Sequence, residues 1–240
     1  GAGLLLQDQE RVQVVAGPWV FVEDVERPTL SPADRHHLER VRRVRTGDPV
    51  VVSDGAGRWR DGTLGGAGTV DVTGEVQVDE RPSPSITVAF ALTKGERPEL
   101  AVQKLTELGV DVIVPFTAAR SVVRWDAQRA DGNVERLRRV AREAAMQCRR
   151  SWLPEVTPLG TFATARALPD AALAEAGGGP PSLERPTVLV GPEGGWDDEE
   201  RACGLPTVGL GQHVLRAETA AMAAAALLGG LRTGLFRPAR

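Results

Sequence analysis

The chain changes rhythm around DERPSPS, residues 79–85, and that change limits its fold more than any other feature. Before it, short β-branched runs such as WVFVEDV and DPVVVSDG are separated by glycine turns. Asp-Gly at 54–55 and 61–62 and Gly-Gly at 65–66 are hairpin dipeptides, because such turns need φ > 0. One helical piece interrupts them, SPADRHHLERVRRV, with Ser31 set to cap it and Pro32 at its first position. A small β-barrel carrying one helix is expected here. Beyond the boundary, the apolar runs ITVAFAL, VDVIVPF, TVLVG and TVGLG read as strands. They alternate with the helical stretches RPELAVQKLTELG, NVERLRRVAREAAMQCRR, DDEERAC and ETAAMAAAALLGGLR. Such alternation predicts an α/β domain on a parallel sheet. AALAEAGGGPPSLERP, ahead of TVLVG, reads as a surface excursion. The expected limits are a β-rich domain over 18–80, a linker at 81–85 and the α/β domain over 86–240.

Composition narrows the function. Apolar residues are 42% of the chain and charged residues 25%, enough for a sizeable core in a globular fold. No apolar run is long enough to span a bilayer. The opening GAGLLLQDQERVQVVAGPWV lacks a basic start and a long apolar segment, which argues against a secretory leader. A cytoplasmic setting without membrane partners is expected. Cys148 and Cys203 make no disulfide framework and read as reduced thiols. His36, His37 and His213 are too dispersed for a zinc set, so no metal is expected. The net charge of −3 hides local contrast, since arginines cluster in two helical stretches.

The chemistry gathers in VLVGPEGGWDDEERACGLPTVGLGQHVLRAETAAMAAAALL, residues 188–228. Three turns, at Gly191–Gly195, Gly209–Gly211 and 214–219, each follow an apolar run or lead into the last helix. Ligands of open α/β sheets bind beyond the carboxyl ends of the strands, where these turns are expected. Glycine there lets a backbone approach a ligand closely. No GxGxxG opens the first strand–helix unit and no GxxxxGK[ST] loop exists. GPEGG offers an acid in place of a phosphate-binding lysine, which suits a neutral or cationic cofactor.

VLVGPEGGWDDEE followed by VGLGQHVLRAETAA resembles the RsmE family of ribosomal RNA uridine-N3 methyltransferases, within the SPOUT superfamily. HHLERVRRVRTGD, KGERPELAVQKLTELGVDVIVPFTAARSV and EAAMQCRRSWLPEV resemble further blocks of that family, in the same order. The resemblance implies a PUA-like β-barrel that binds RNA, followed by an α/β domain whose C-terminal part threads a trefoil knot. It implies S-adenosylmethionine as cofactor. Leu189, Gly191, Glu193, Gly194 and Gly195 would line the first knot loop; Gly209, Leu210 and Gly211 the second; Leu215, Arg216, Glu218 and Thr219 the third. It further implies 16S RNA of the small ribosomal subunit as substrate, within the assembled subunit, and a homodimer formed through the knot. The residues before WVFVEDV, 1–17, are extra relative to the family pattern. Arg42 stands where a leucine is usual and His213 where arginine is frequent.

Methylating N3 of uridine requires loss of a weakly acidic ring proton and support for the charge left on the base. Arg216 is the candidate cation. Glu218 either accepts the proton or holds Arg216, and LRAET does not decide between them. Thr219 serves the cofactor or caps the helix; Glu193 polarises the cofactor's amine or fixes its turn. For RNA, RHHLERVRR with Arg45 sets five arginines against one acid, which suits phosphate contacts. Arg35, His36, Arg40 and Arg43 are the candidates there, joined by Arg120, Gln147 and Arg150 from later blocks. The alternatives are another RNA position, such as a ribose oxygen of transfer RNA, or a non-catalytic RNA-binding module.

Overall fold

The computed structural model describes residues 17–95 and 97–236, so the extra N-terminal segment, Gly17 apart, lies outside them. The chain forms two compact units. One runs to Arg81 and takes in Arg149–Trp152; the other comprises Pro82–Cys148 and the chain from Leu153 onward.

In the first unit, β1 (Trp19–Phe21) runs parallel to β2 (Pro49–Ser53), which pairs antiparallel with β3 (Arg58–Leu64). β3 in turn pairs with β4 (Val70–Val72) and β5 (Gln77–Val78), giving five strands. Val50, Val51 and Val52 of β2 are all buried, which is why that run reads as continuously apolar. Ser31 accepts from the amide of Asp34 and caps α1 (Pro32–His36), which continues as a π-helical turn over His37–Val41. Asp61–Gly62 is not a turn. It lies inside β3, where a Cβ at Gly62 would come within 2.7 Å of Val70, so the glycine serves close strand approach. The visiting segment is held by polar contacts: Ser151 Oγ donates to Asp79 at 2.6 Å, and its carbonyl accepts from Gly57 at 3.0 Å. Trp152 covers Gly57, where a Cβ would sit 2.6 Å from the indole.

The second unit is a seven-stranded sheet, parallel throughout. Its path is β12 (Thr207–Val208), β10 (Ala171–Gly179), β11 (Thr187–Val190), β6 (Thr87–Ala91), β7 (Val112–Thr117) and β8 (Glu155–Val156), with β9 (Gly160–Thr161) also on β7. Alternate residues of β6 serve opposite faces. Val88 and Phe90 join Leu105 of α2 (Arg97–Glu107), Leu137 of α3 (Ala127–Cys148) and Leu228 of α6 (Ala217–Arg232). Ala89 and Ala91 join Phe116, Leu189 and Trp196, with Phe162 of α4 (Phe162–Arg166) packed alongside. Both faces are covered, so these strands carry near-continuous apolar runs. Gly109, at φ +85, closes α2 in the left-handed conformation that a helix C-terminus favours.

Two further expectations need correcting. AALAEAGGG is no surface excursion: it is β10, buried at Ala171–Leu173, and it separates β11 from β12. α3 begins at Ala127, six residues before the stretch read as helical.

Candidate functional site

A cavity of about 230 Å³ opens at the carboxyl end of β11 and along the middle of β10. Each turn singled out in the sequence supplies part of its wall. Gly191, Glu193 and Gly195 come from the turn after β11, Leu210 and Gly211 from the turn after β12, and Leu215 from the approach to α6. Trp196 forms one side, and a Cβ at Gly191 would press its ring at 3.0 Å. The indole is buried, stacks on Phe116 at 6.2 Å and donates from Nε1 to the carbonyl of Ala174 at 3.0 Å. Asp197 then caps α5 (Asp198–Arg201), accepting from Glu200 at 2.7 Å.

Four expected cofactor residues stand outside this wall. Leu189 is fully buried on the opposite face of the sheet, while its neighbour Val190 lines the cavity. Strand alternation imposes that choice. Gly194 lies beneath Arg120, whose Nη1 donates to its carbonyl at 3.2 Å; a Cβ at Gly194 would meet the Arg120 Cβ at 3.2 Å. Gly209 holds the turn after β12 against β10, donating to Gly179 at 2.8 Å, with no room for a Cβ beside the Gly178 carbonyl at 2.8 Å. Thr219 is exposed in the first turn of α6.

Sequence reading missed the wall given by β10. Ala174, Glu175 and Ala176 line the cavity, and Glu175 lies 3.5 Å from Arg201 of α5, which also lines it. It missed Arg97 too. From the start of α2, Arg97 reaches Glu193 at 2.6 Å and Glu218 at 3.7 Å. A cation at a helix N-terminus opposes the macrodipole, and that was the available signal.

The two candidate catalytic residues sit where α6 begins. Arg216 is its N-cap residue, with no side-chain capping bond; it is exposed, and among the described residues no side-chain partner engages it. Glu218 is only 12% exposed, and its Oε2 is buried without a hydrogen-bond partner among the described residues. Ala217 and Ala220, on either side of it in sequence, line the cavity.

The arginines expected to meet RNA divide between the units. In the first, His36, Arg40 and Arg43 are exposed, Arg43 at φ +56, while Arg35 is half-buried and paired with Glu39 at 2.8 Å. Arg150, half-buried, belongs to the same unit. In the second, Gln147 is exposed near the end of α3. Two arginines of that helix are already committed, Arg136 to Glu99 at 3.1 Å and Arg138 to the Val156 carbonyl at 3.0 Å.

Among the described residues no helix is long and apolar enough to cross a membrane. No cluster of three or more His, Cys, Asp or Glu side chains able to hold a metal occurs among them.

The family described as RNA methyltransferase domain matches residues 79–229. The ribosomal RNA small subunit methyltransferase E of Mycobacterium bovis is 37% identical over 227 residues, spanning 81% of this chain and 83% of its own. The protein of that name from Synechocystis is 36% identical over 227 residues, spanning 85% and 73%. A methyltransferase of Legionella pneumophila, solved in complex with the cofactor SAM, superposes with a TM-score of 0.76 at 27% identity, covering 89% of this chain and 97% of that one.

Proposed function

From its membership of the ribosomal RNA small subunit methyltransferase E family, we propose that the chain methylates N3 of a uridine in 16S RNA, with S-adenosylmethionine as donor. One observation carries the reading. The two glycine turns, the 214–219 turn and β10 wall a single cavity. Beside it, α6 starts with a guanidinium that has no side-chain partner among the described residues and a largely buried carboxylate.

The residues present fit such a cofactor. Val190, Leu210 and Leu215 offer an apolar wall to a nucleoside, and Glu175 and Glu193 bring carboxylates to that wall, each paired with an arginine, Arg201 and Arg97. Leu189, Gly194 and Gly209 act from behind, fixing the turns that the ligand touches. When bound, S-adenosylmethionine supplies an electrophilic methyl group on a sulfonium.

The chain's own residues do the remaining work. Arg216 offers a positive charge to the uracil oxygens as the ring nitrogen loses its proton. Glu218 accepts that proton at Oε2, the oxygen without a hydrogen-bond partner among the described residues. Thr219, exposed one residue further and outside the cavity wall, has no part in this reading.

The first unit acts as the RNA-binding domain over 18–80, of the PUA-like kind, through Arg35, His36, Arg40 and Arg43. Arg120, Gln147 and Arg150 add contacts with the substrate. The linker is 81–85, and the methyltransferase domain covers 86–240 with its C-terminal part threaded as a trefoil knot. Support for the knot comes from the sheet: β12 pairs with β10 instead of β11, and α6 returns onto β6 and β11. The working form is a cytoplasmic homodimer acting on the assembled small subunit. Val214, 94% exposed on the third turn, supports an apolar contact there.

The test is methyl transfer from labelled S-adenosylmethionine to small subunits lacking base methylation, followed by nucleoside mass spectrometry. N3-methyluridine is the expected product. Label appearing only in a ribose or in another base would overturn the assignment of position.

A further inference from the structure

Arg97 stands in the least favourable place for a cation, the first turn of a helix, where the macrodipole repels positive charge. Its guanidinium turns from α2 toward two other elements. Nη1 donates to Glu193 Oε1 at 2.6 Å, in the turn after β11, and Nε lies 3.7 Å from Glu218 Oε1, in the first turn of α6. The second contact is too long for a hydrogen bond and acts through charge. One side chain therefore joins the start of α2, the first cofactor turn and the start of α6.

The exposures are unequal. Arg97 and Glu193 are 38% and 37% exposed, whereas Glu218 is 12% exposed. Glu218 divides its oxygens between two tasks: Oε1 faces Arg97, and Oε2 is buried without a hydrogen-bond partner among the described residues. A buried carboxylate oxygen without a partner is costly, and accepting an N–H from a bound base after a small turn of the side chain offsets that cost. One guanidinium between two carboxylates also leaves the cluster net negative, which favours a donor at that oxygen.

We propose that Arg97 is a positioning residue for methyl transfer: it fixes Glu218 through Oε1 so that Oε2 meets the ring N–H of the target base. It acts through Glu218 and touches neither base nor cofactor. The proposal rests on the functional reading above, which puts Glu218 in the reaction. The contact with Glu193 anchors the guanidinium itself and so fixes where it meets Glu218.

The experiment uses the full chain and the variants Arg97→Gln, Arg97→Lys, Glu218→Gln and the double variant Arg97→Gln/Glu218→Gln. Cofactor Kd by calorimetry, melting temperature, and kcat and KM for methyl transfer to unmethylated small subunits are measured for each. Arg97→Gln is expected to lower kcat by about 100-fold, the scale of a misplaced reacting group, with cofactor Kd within about threefold because the cavity wall persists. Arg97→Lys, which keeps the charge, is expected to recover most of that loss. The double variant is expected to be no slower than Glu218→Gln alone, since both changes disable one device. Wild-type kcat in Arg97→Gln, or losses that multiply in the double variant, would overturn the proposal. So would a Glu218→Gln variant of full activity beside an impaired Arg97→Gln. A wild-type chain that moves no methyl to RNA would overturn the functional reading itself and this proposal with it.

Discussion

The two ends of α6 each carry an arginine–carboxylate contact, and they are built for different purposes. At the C-terminal end, Arg232 pairs with Asp111, the two side chains being 11% and 8% exposed. Arg232 also donates to the carbonyls of Gly109 at 2.7 Å and Pro84 at 3.2 Å, and Asp111 accepts from the amide of Ile86 at 2.9 Å. Each charge there is surrounded by partners. At the N-terminal end, among the described residues, Glu218 keeps one oxygen unpaired, Arg97 approaches only to 3.7 Å, and Arg216 is unengaged. The satisfied end holds the helix to the strand starts. The unsatisfied end leaves hydrogen-bonding capacity for a ligand. Ion pairs that look alike as a residue list differ in what remains unpaired.

The sharpest way to break this contrast is to disable the satisfied end. Asp111→Ala is expected to cost about 3–5 kcal/mol of folding stability, because it leaves a buried guanidinium uncompensated. Denaturant unfolding checks it, and cofactor Kd of the folded fraction should stay near that of the parent. A loss in Kd larger than the loss in stability would blur the distinction between the ends. At the other end, Arg216→Ala removes an exposed side chain and is expected to leave the melting temperature within a degree or two. Its kcat should fall by about 10²–10³-fold, as when one charge-stabilising donor is lost. Single-turnover kinetics on small subunits measures this directly. The smallest effect belongs to the first unit. Arg40→Ala should weaken subunit binding a few-fold and lower the slope of log K against log salt by about one, as for a lost phosphate contact. An unchanged slope would take Arg40 off the RNA surface.

What the sequence made legible follows the strength of each local signal. Ser31 and Pro32 announced α1, and the runs ITVAFAL and TVLVG announced central strands because both faces of that sheet are buried. β10 went unseen because AALAEAGGG has neither β-branched residues nor alternation. Its glycines answer to a neighbour distant in sequence: a Cβ at Gly178 would sit 2.6 Å from the backbone of Val208. Asp61–Gly62 carried a turn signal that tertiary pairing with β4 overrode. Within the site, the turns at 191–195, 209–211 and 214–219 were legible as edges of one pocket. The family resemblance named Gly191, Glu193, Gly195, Leu210, Gly211 and Leu215 among their residues, all of which line the cavity. Glu175, Arg201 and Arg97 were not, because each depends on an approach between elements that no local spacing encodes.

The central claim is that the cavity walled by the three turns holds the methyl donor, and Gly211→Leu tests it most directly. A Cβ at Gly211 meets nothing within 4 Å, so the fold tolerates a side chain there, yet the residue lines the cavity. Calorimetric titration of S-adenosylmethionine into wild type and variant, with melting temperatures alongside, is the measurement. The expected result is an unchanged melting temperature and an affinity at least about tenfold weaker, a difference of about 1.4 kcal/mol. Undiminished affinity in a normally folded Gly211→Leu chain would mean that the donor binds elsewhere.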